Sequence, residues 1–292
     1  MSAATISITE NKNPTTSIPV IRKPGFDSGR DLPHYWVNGE PADTYFGNTL
    51  HMMFPDGERY FINSVKRFAR DIQDPHLKER VRGFLGQEVQ HGMQHEACWQ
   101  ALEQQGYPVQ NYIGWFRHTA LEVLEPWIAR VFGPRMNLSV TAAMEHFTAI
   151  LSEIALVTGW MDRVAPQMRD PMKWHACEEI EHKDVTFDVL RSTGAGYGTR
   201  IAGMLLALPV MTLIFVSGFF WCLKHDRERR LSNLFRTFVS GPLRFAWRFG
   251  RLPLYVAYYF VPGFHPNWMD NRELIEREMP GIRRIQGGAG LM

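Results

Sequence analysis

The sequence predicts an all-α protein: a helix bundle followed by a hydrophobic helical appendage. Three observations carry that reading. Long stretches repeat apolar residues at helical spacing, as in Phe61, Ile62, Val65 and Phe68. Two such stretches contain the spacing Glu-x-x-His, at Glu88–His91 and at Glu179–His182. A third stretch, Ile201 to Leu223, runs without a charged residue. The chain then divides into an irregular lead-in over 1–43, a bundle over 44–199, and hydrophobic, basic and aromatic sequence over 200–292.

Composition bounds what such a bundle does. A chain of 292 residues buries a substantial core. Its 32 Lys and Arg against 30 Asp and Glu leave a formal charge of +2, without the excess that attracts nucleic acid in bulk. Arg236, Arg244, Arg248 and Arg251 come without a readout module, so no nucleic-acid partner is expected. The three cysteines, Cys98, Cys177 and Cys222, form no Cys-x-x-Cys pair. That argues against a disulfide framework or a zinc ribbon and fits a reducing compartment. Cys177, inside the second motif, reads as a small buried thiol.

Residues 1–20 lack a basic segment followed by an apolar one, so they read as a disordered tail and not a secretory signal. Residues 21–43, with several Gly, Pro and Asp, read as irregular. A helical run starts near Asp43, and Pro55 either interrupts it or starts a new helix. Glu58 follows. Asp74-Pro75 signals a helix start, with Gly106 suited to its end. That helix carries Glu88, His91 and also His95, which shares their face and is left open between ligand, hydrogen-bond donor to a ligand, and solvent-facing residue. Residues 109–132 form another amphipathic helix, with Trp115, Leu121, Leu124 and Trp127 as core. Asn137 caps the next, which reaches about Trp160 and carries Glu145, with Glu153 as a rival carboxylate on a similar face. His146 points away from Glu145 toward a supporting or surface position. Asp170-Pro171 starts the helix over 171–192, and Gly194, Gly196 and Gly198 end it.

On the last of these helices His175, Glu179 and His182 line one stripe. Glu58 precedes Glu88, and Glu145 precedes Glu179, by about one helical hairpin each. Two Glu-bearing helices and two Glu-x-x-His helices form the ligand set of a di-metal carboxylate bundle. The expected ligands are Glu58, Glu88, His91, Glu145, His175, Glu179 and His182. Oxygen and imidazole donors without thiolate favour two iron ions, with manganese or a mixed pair compatible. Gln87 and Glu178, each just before a motif Glu, are candidates to hold the second nitrogen of a ligand histidine.

At these residues the chain resembles a ferritin-like di-iron carboxylate protein over about 44–192. His175, four residues before Glu179, is similar to the extra histidine ligand of arylamine N-oxygenases. The run Phe54-Pro55-Asp56-Gly57-Glu58-Arg59 and the segment Pro262-Gly263-Phe264-His265-Pro266 resemble a bacterial family labelled predicted metal-dependent hydrolase. The first resemblance implies an oxygen-activating oxidoreductase acting on a small or lipid-like substrate, with dioxygen and an electron donor as partners. A dinuclear hydrolase and a non-enzymatic iron-binding or membrane scaffold are the alternatives. Many oxygen-activating relatives carry Asp before the motif Glu, where this chain has Gln87 and Glu178. A homodimer is compatible with all three readings.

As a helix, Ile201–Leu223 would be about 35 Å long, enough to cross a hydrocarbon core of about 30 Å. Basic and aromatic residues follow from Lys224 to Arg251, a juxtamembrane signature. Membrane association at the cytoplasmic face is therefore expected, as span or as surface helix, against the alternative of a helix buried on the bundle. All expected ligands precede residue 183, so the bundle is expected to close its site without this segment.

Overall fold

A computed structural model describes residues 17–282 and the short strand at 285–286. The fold is all-α, as the sequence predicts. In chain order the helices are α1 (Pro41–Lys66), α2 (Pro75–Gln104), α3 (Val109–Arg117), α4 (Glu125–Phe132), α5 (Pro134–Val157), α6 (Pro166–His182), α7 (Val185–Ser192) and α8 (Tyr197–His225). The short helices α9 (Leu231–Phe235), α10 (Gly241–Phe249), α11 (Leu252–Tyr258) and α12 (Arg272–Glu278) follow. A π-helical turn, His118–Leu124, joins α3 to α4. The lead-in contributes β1 (Lys23–Pro24), antiparallel to β2 (Ile285–Gln286). Of the expected disordered tail, residues 1–16 lie outside the described residues. Residues 17–20 are placed: the Val20 carbonyl accepts a hydrogen bond from Gln87 at 3.0 Å. Gly83 admits this segment, since a Cβ there would stand 2.2 Å from the Pro19 carbonyl oxygen.

Several helix boundaries differ from expectation for identifiable reasons. Pro55 neither interrupts nor restarts α1; it lies inside it. A proline removes the N–H that would bond the carbonyl four residues back, here that of His51. Trp99 supplies the replacement, its indole donating to the His51 oxygen at 2.8 Å. Asp74 caps α2 as expected, accepting from the His76 backbone N–H at 2.9 Å. Asn137 is not a cap. Helix α5 starts at Pro134 after Gly133, whose φ of 85° suits glycine. Asn137 is instead buried, donating to the Glu125 carbonyl at 3.0 Å and accepting from the Tyr60 hydroxyl at 3.1 Å. Helix α6 starts at Pro166, so Asp170-Pro171 lies within it, and the expected single helix over 171–192 breaks after His182. Trp115 and Trp127, expected in the core, are 48% and 50% exposed.

The core runs through α1, α2, α5, α7 and α8, with Phe84, Leu138, Ala142, Val189 and Met204 among its buried residues. Helix α8 belongs to it along one face. Met204, Ala207, Met211 and Cys222 are buried. A Cβ at Gly203 would come 2.1 Å from Ser139 Oγ of α5, and one at Gly218 2.3 Å from Thr49 Cγ2 of α1. The expected boundary at 199/200 falls in the first turn of α8. Helix α8 thus packs into the core against α1 and α5. The opposite face is open, with Leu205, Leu213 and Phe220 more than half exposed. Helix α8 is thus long and apolar enough to cross a membrane but packed on one side only. Helix α5 also has that length and hydropathy and is mostly buried.

Candidate metal centre

Four helices bring the expected ligands together: α1 carries Glu58, α2 carries Glu88 and His91, α5 carries Glu145, and α6 carries His175, Glu179 and His182. The side chains form one unbroken chain of contacts. Glu145 Oε2 lies 2.9 Å from His182 Nδ1, and His182 Nε2 lies 3.2 Å from Glu88 Oε1. Glu88 Oε1 is 3.8 Å from His91 Nδ1, which is 3.6 Å from Glu179 Oε1. Glu179 Oε1 is 2.9 Å from His175 Nε2. His175 Nδ1 is 2.8 Å from His95 Nε2, which is 3.7 Å from Glu58 Oε1. Two groupings emerge, each compact enough for one cation: Glu88, His91, Glu179 and His182, and Glu58, His95 and His175.

The surrounding groups hold these side chains in place. Glu178 Oε2 lies 3.1 Å from His91 Nε2, leaving Nδ1 aimed at the cluster. Glu178 is fixed in turn by the Trp174 indole at 2.9 Å and by Arg22 at 2.8 Å. Its expected supporting position is therefore occupied, whereas that of Gln87 is not: the Gln87 amide donates to Glu181 and to the Val20 carbonyl, away from the histidines. Thr148 donates to Glu179 Oε2.

The electrostatics are those of a cluster short of positive charge. Among the described residues Glu58, Glu88, Glu145 and Glu179 form no ion pair with Lys or Arg. Burial and then the neighbouring carboxylates push Glu58 and Glu88 well above the usual carboxylate range. Burial raises Glu145 to about 7 even beside His182. Burial depresses His182, but Glu145, with Glu179 and Glu178, more than offsets it and carries it to about 9. Burial and then His175 push His91 and His95 down. Several buried atoms have no hydrogen-bond partner among the described residues: both oxygens of Glu58 and of Glu88, Glu145 Oε1, His91 Nδ1 and His182 Nε2. Buried polar atoms are ordinarily paired, and these belong to the residues expected to bind metal. Carboxylate oxygens and imidazole nitrogens in this number fit divalent cations.

Other expectations are resolved by position. Glu153 is not at the cluster; it accepts from Asn271 at 2.5 Å and stabilises the buried ammonium of Lys183. His146 is neither exposed nor in support of the cluster; its Nε2 lies 3.2 Å from the Tyr255 carbonyl of α11. Cys177 is buried, and burial raises its thiol to about 12. His95 stands inside the cluster, one helical turn beyond His91. His51 was missed: its Nδ1 lies 2.8 Å from His95 Nδ1. Its position two turns before Glu58 on α1 was the available signal.

Two apolar cavities meet at the cluster, both touching Phe54, Thr148 and Glu179. One lies on the side of His51, His95 and His175, the other on the side of Glu58. No curated protein and no solved structure matches the chain. A family model described as predicted metal-dependent hydrolase matches residues 20–270, and with most of its length so covered the chain belongs to that family.

Proposed function

We propose that the four-helix cluster is a dinuclear metal centre and that the protein is a metal-dependent hydrolase acting on a small or lipid-like substrate. The observation that carries this is the set of unpartnered donor atoms of Glu58, Glu88, His91, Glu145 and His182, in a chain of a family described as metal-dependent. When bound, such an ion pair polarises a substrate oxygen and acidifies water. The chain's own residues do the rest. Glu178 and Glu145 orient the rings of His91 and His182. Thr148 fixes one oxygen of Glu179. Glu58 faces an apolar cavity and so stands at the boundary between the cluster and the substrate side.

A second reading, an oxygen-activating di-iron oxidoreductase with an external electron donor, is favoured by the donor set. Imidazole and carboxylate without thiolate, on four helices and beside apolar cavities, suits iron and a substrate that is not itself polar. One experiment separates the two. Protein purified without oxygen is analysed for metal and by Mössbauer spectroscopy before and after oxygen, then assayed for anaerobic ester and amide cleavage and for reductant-dependent oxygen uptake. Anaerobic cleavage supports the hydrolase. Oxygen uptake with a redox-active iron pair supports the oxidoreductase and removes the hydrolase. Absence of metal removes both.

We further propose that the open face of α8 rests on the cytoplasmic leaflet of a membrane. Leu205, Leu213, Val216 and Phe220 form its apolar contact, and Lys224, Arg227, Arg229 and Arg230 follow at its end. One-sided packing supports a surface helix in preference to a span.

A further inference from the structure

The cavity beside Glu58 has walls of one chemical character. Met53, Phe61, Ile128, Met144, Val210 and Ile214 line it, and it holds about 910 Å³ including its open part. Glu58, Thr148 and Glu179 mark the end at the donor cluster. Trp127, half exposed, marks the rim on α4. On α8 the lining residues Leu206, Val210 and Ile214 alternate with the exposed Leu205 and Leu213, so the cavity borders the apolar outer face of that helix. The π-helical turn contributes Ala120 and Leu124 to the wall. Such turns interrupt helices frequently at functional sites. Gly57 sits in the wall one residue before Glu58, and a Cβ there would meet nothing within 4 Å. Glycine inside a helix is otherwise unfavourable.

A small polar substrate would find few groups along these walls to orient it. A hydrocarbon chain would find contact along its length, with carboxylates only at the inner end. We propose that the cavity binds a single long alkyl chain of an amphiphile, entering beside Trp127 and α8 and reaching the donor cluster next to Glu58. This names the substrate class for the metal centre proposed above and rests on that reading for its chemistry, though not for its binding.

The test is calorimetric titration of the full-length protein with saturated fatty acids of increasing chain length, below their micellar concentrations. Affinity should rise about fourfold per added methylene until the cavity is filled. Gly57→Leu should lower the affinity for long chains at least tenfold and bring the plateau to shorter chains. Val210→Phe, on the α8 side of the wall, should do the same and stands in if Gly57→Leu fails to fold. In a second arm the same acid carries a spin label and is presented in phosphatidylcholine vesicles. Quenching of tryptophan fluorescence that disappears in Trp127→Phe places the source in the bilayer; quenching only by the free acid places it in solution, and either supports the cavity. Absence of chain-length dependence, or wild-type affinity in both folded wall variants, overturns the proposal. Metal content is measured on the same samples. Full metal without chain-length dependence removes this inference alone, and chain binding without metal removes the metal centre and keeps the cavity.

Discussion

The Trp99 indole donates to the carbonyl of His51, the oxygen that Pro55 leaves without its helical partner. One hydrogen bond thus lets α1 continue past proline, and it does so beside the His51–His95 pair. Trp99→Phe should cost about 1 kcal/mol from the bond itself, with lost packing in addition. In a Pro55→Ala background the restored backbone N–H serves the same oxygen, so the second substitution should cost less. Thermal denaturation of the four proteins of this cycle measures the difference. Equal costs in both backgrounds would show that the indole bond does not compensate for the proline.

The two acidic positions on α5 separate structure from metal binding. Glu153→Gln should leave bound metal unchanged, because this carboxylate serves Asn271 and Lys183. It should lower stability by about 1 kcal/mol, since it weakens the hydrogen bond from Asn271 and removes a charge that favours the buried ammonium. Glu88→Ala and Glu179→Ala should each remove most of the metal. Metal analysis of the three variants checks this, and full metal in both alanine variants would remove the cluster from consideration.

Asp226 ties the end of α8 to the lead-in and to α1. Its carboxylate lies 2.7 Å from His34 Nε2 and accepts from the hydroxyls of Tyr35 and Tyr45. Burial raises its pKa, but these hydrogen bonds more than offset burial and hold it at about 2, below the ordinary 3.8. A depressed folded-state pKa means that the stabilisation is complete above about 3.8 and is lost as pH falls through about 2. The corresponding contribution is about 2 kcal/mol. Asp226→Asn should therefore lower stability at neutral pH by that order and flatten its pH dependence below 4. Urea denaturation across that window measures it. A variant retaining the wild-type acid slope would assign the slope to other groups.

The donor cluster was legible because helical spacing places Glu and His on one face whatever the helix packs against. The matched hairpin separations distinguished Glu145 from Glu153, which sequence periodicity alone treats alike. What spacing left open was how far along the stripe the cluster extends. His95 lies on the same face as Glu88 and His91, but only the packing of α6 opposite brings His175 within 2.8 Å of it. Trp127 was placed in the core by carrying a 3.6-residue period through 109–132. The π-helical turn inserts an extra residue into that period and rotates all that follows. Pro55 reads as a boundary because the donor that serves its freed carbonyl, Trp99, is remote in sequence.

Helix α8 supplies the final prediction, since its two faces have opposite roles. Its inner face fills the core against α1 and α5, and Gly203 and Gly218 allow the close approach. A chain ending before Tyr197 would uncover Leu138, Ala142 and their neighbours, leaving an apolar patch that favours aggregation. Gly203→Val should act similarly, because the added atoms would overlap Ser139. The outer face carries no such packing. Leu205→Glu with Leu213→Glu, both on exposed positions, should keep the melting temperature and metal content of the wild type. The same pair should release the protein from membranes, because charges on that face oppose burial in the leaflet. Flotation with vesicles, circular dichroism and metal analysis on one preparation measure all three. A double variant that remains membrane-bound would move the contact away from α8. A truncated chain that stays soluble and holds metal would show that the bundle closes without its eighth helix.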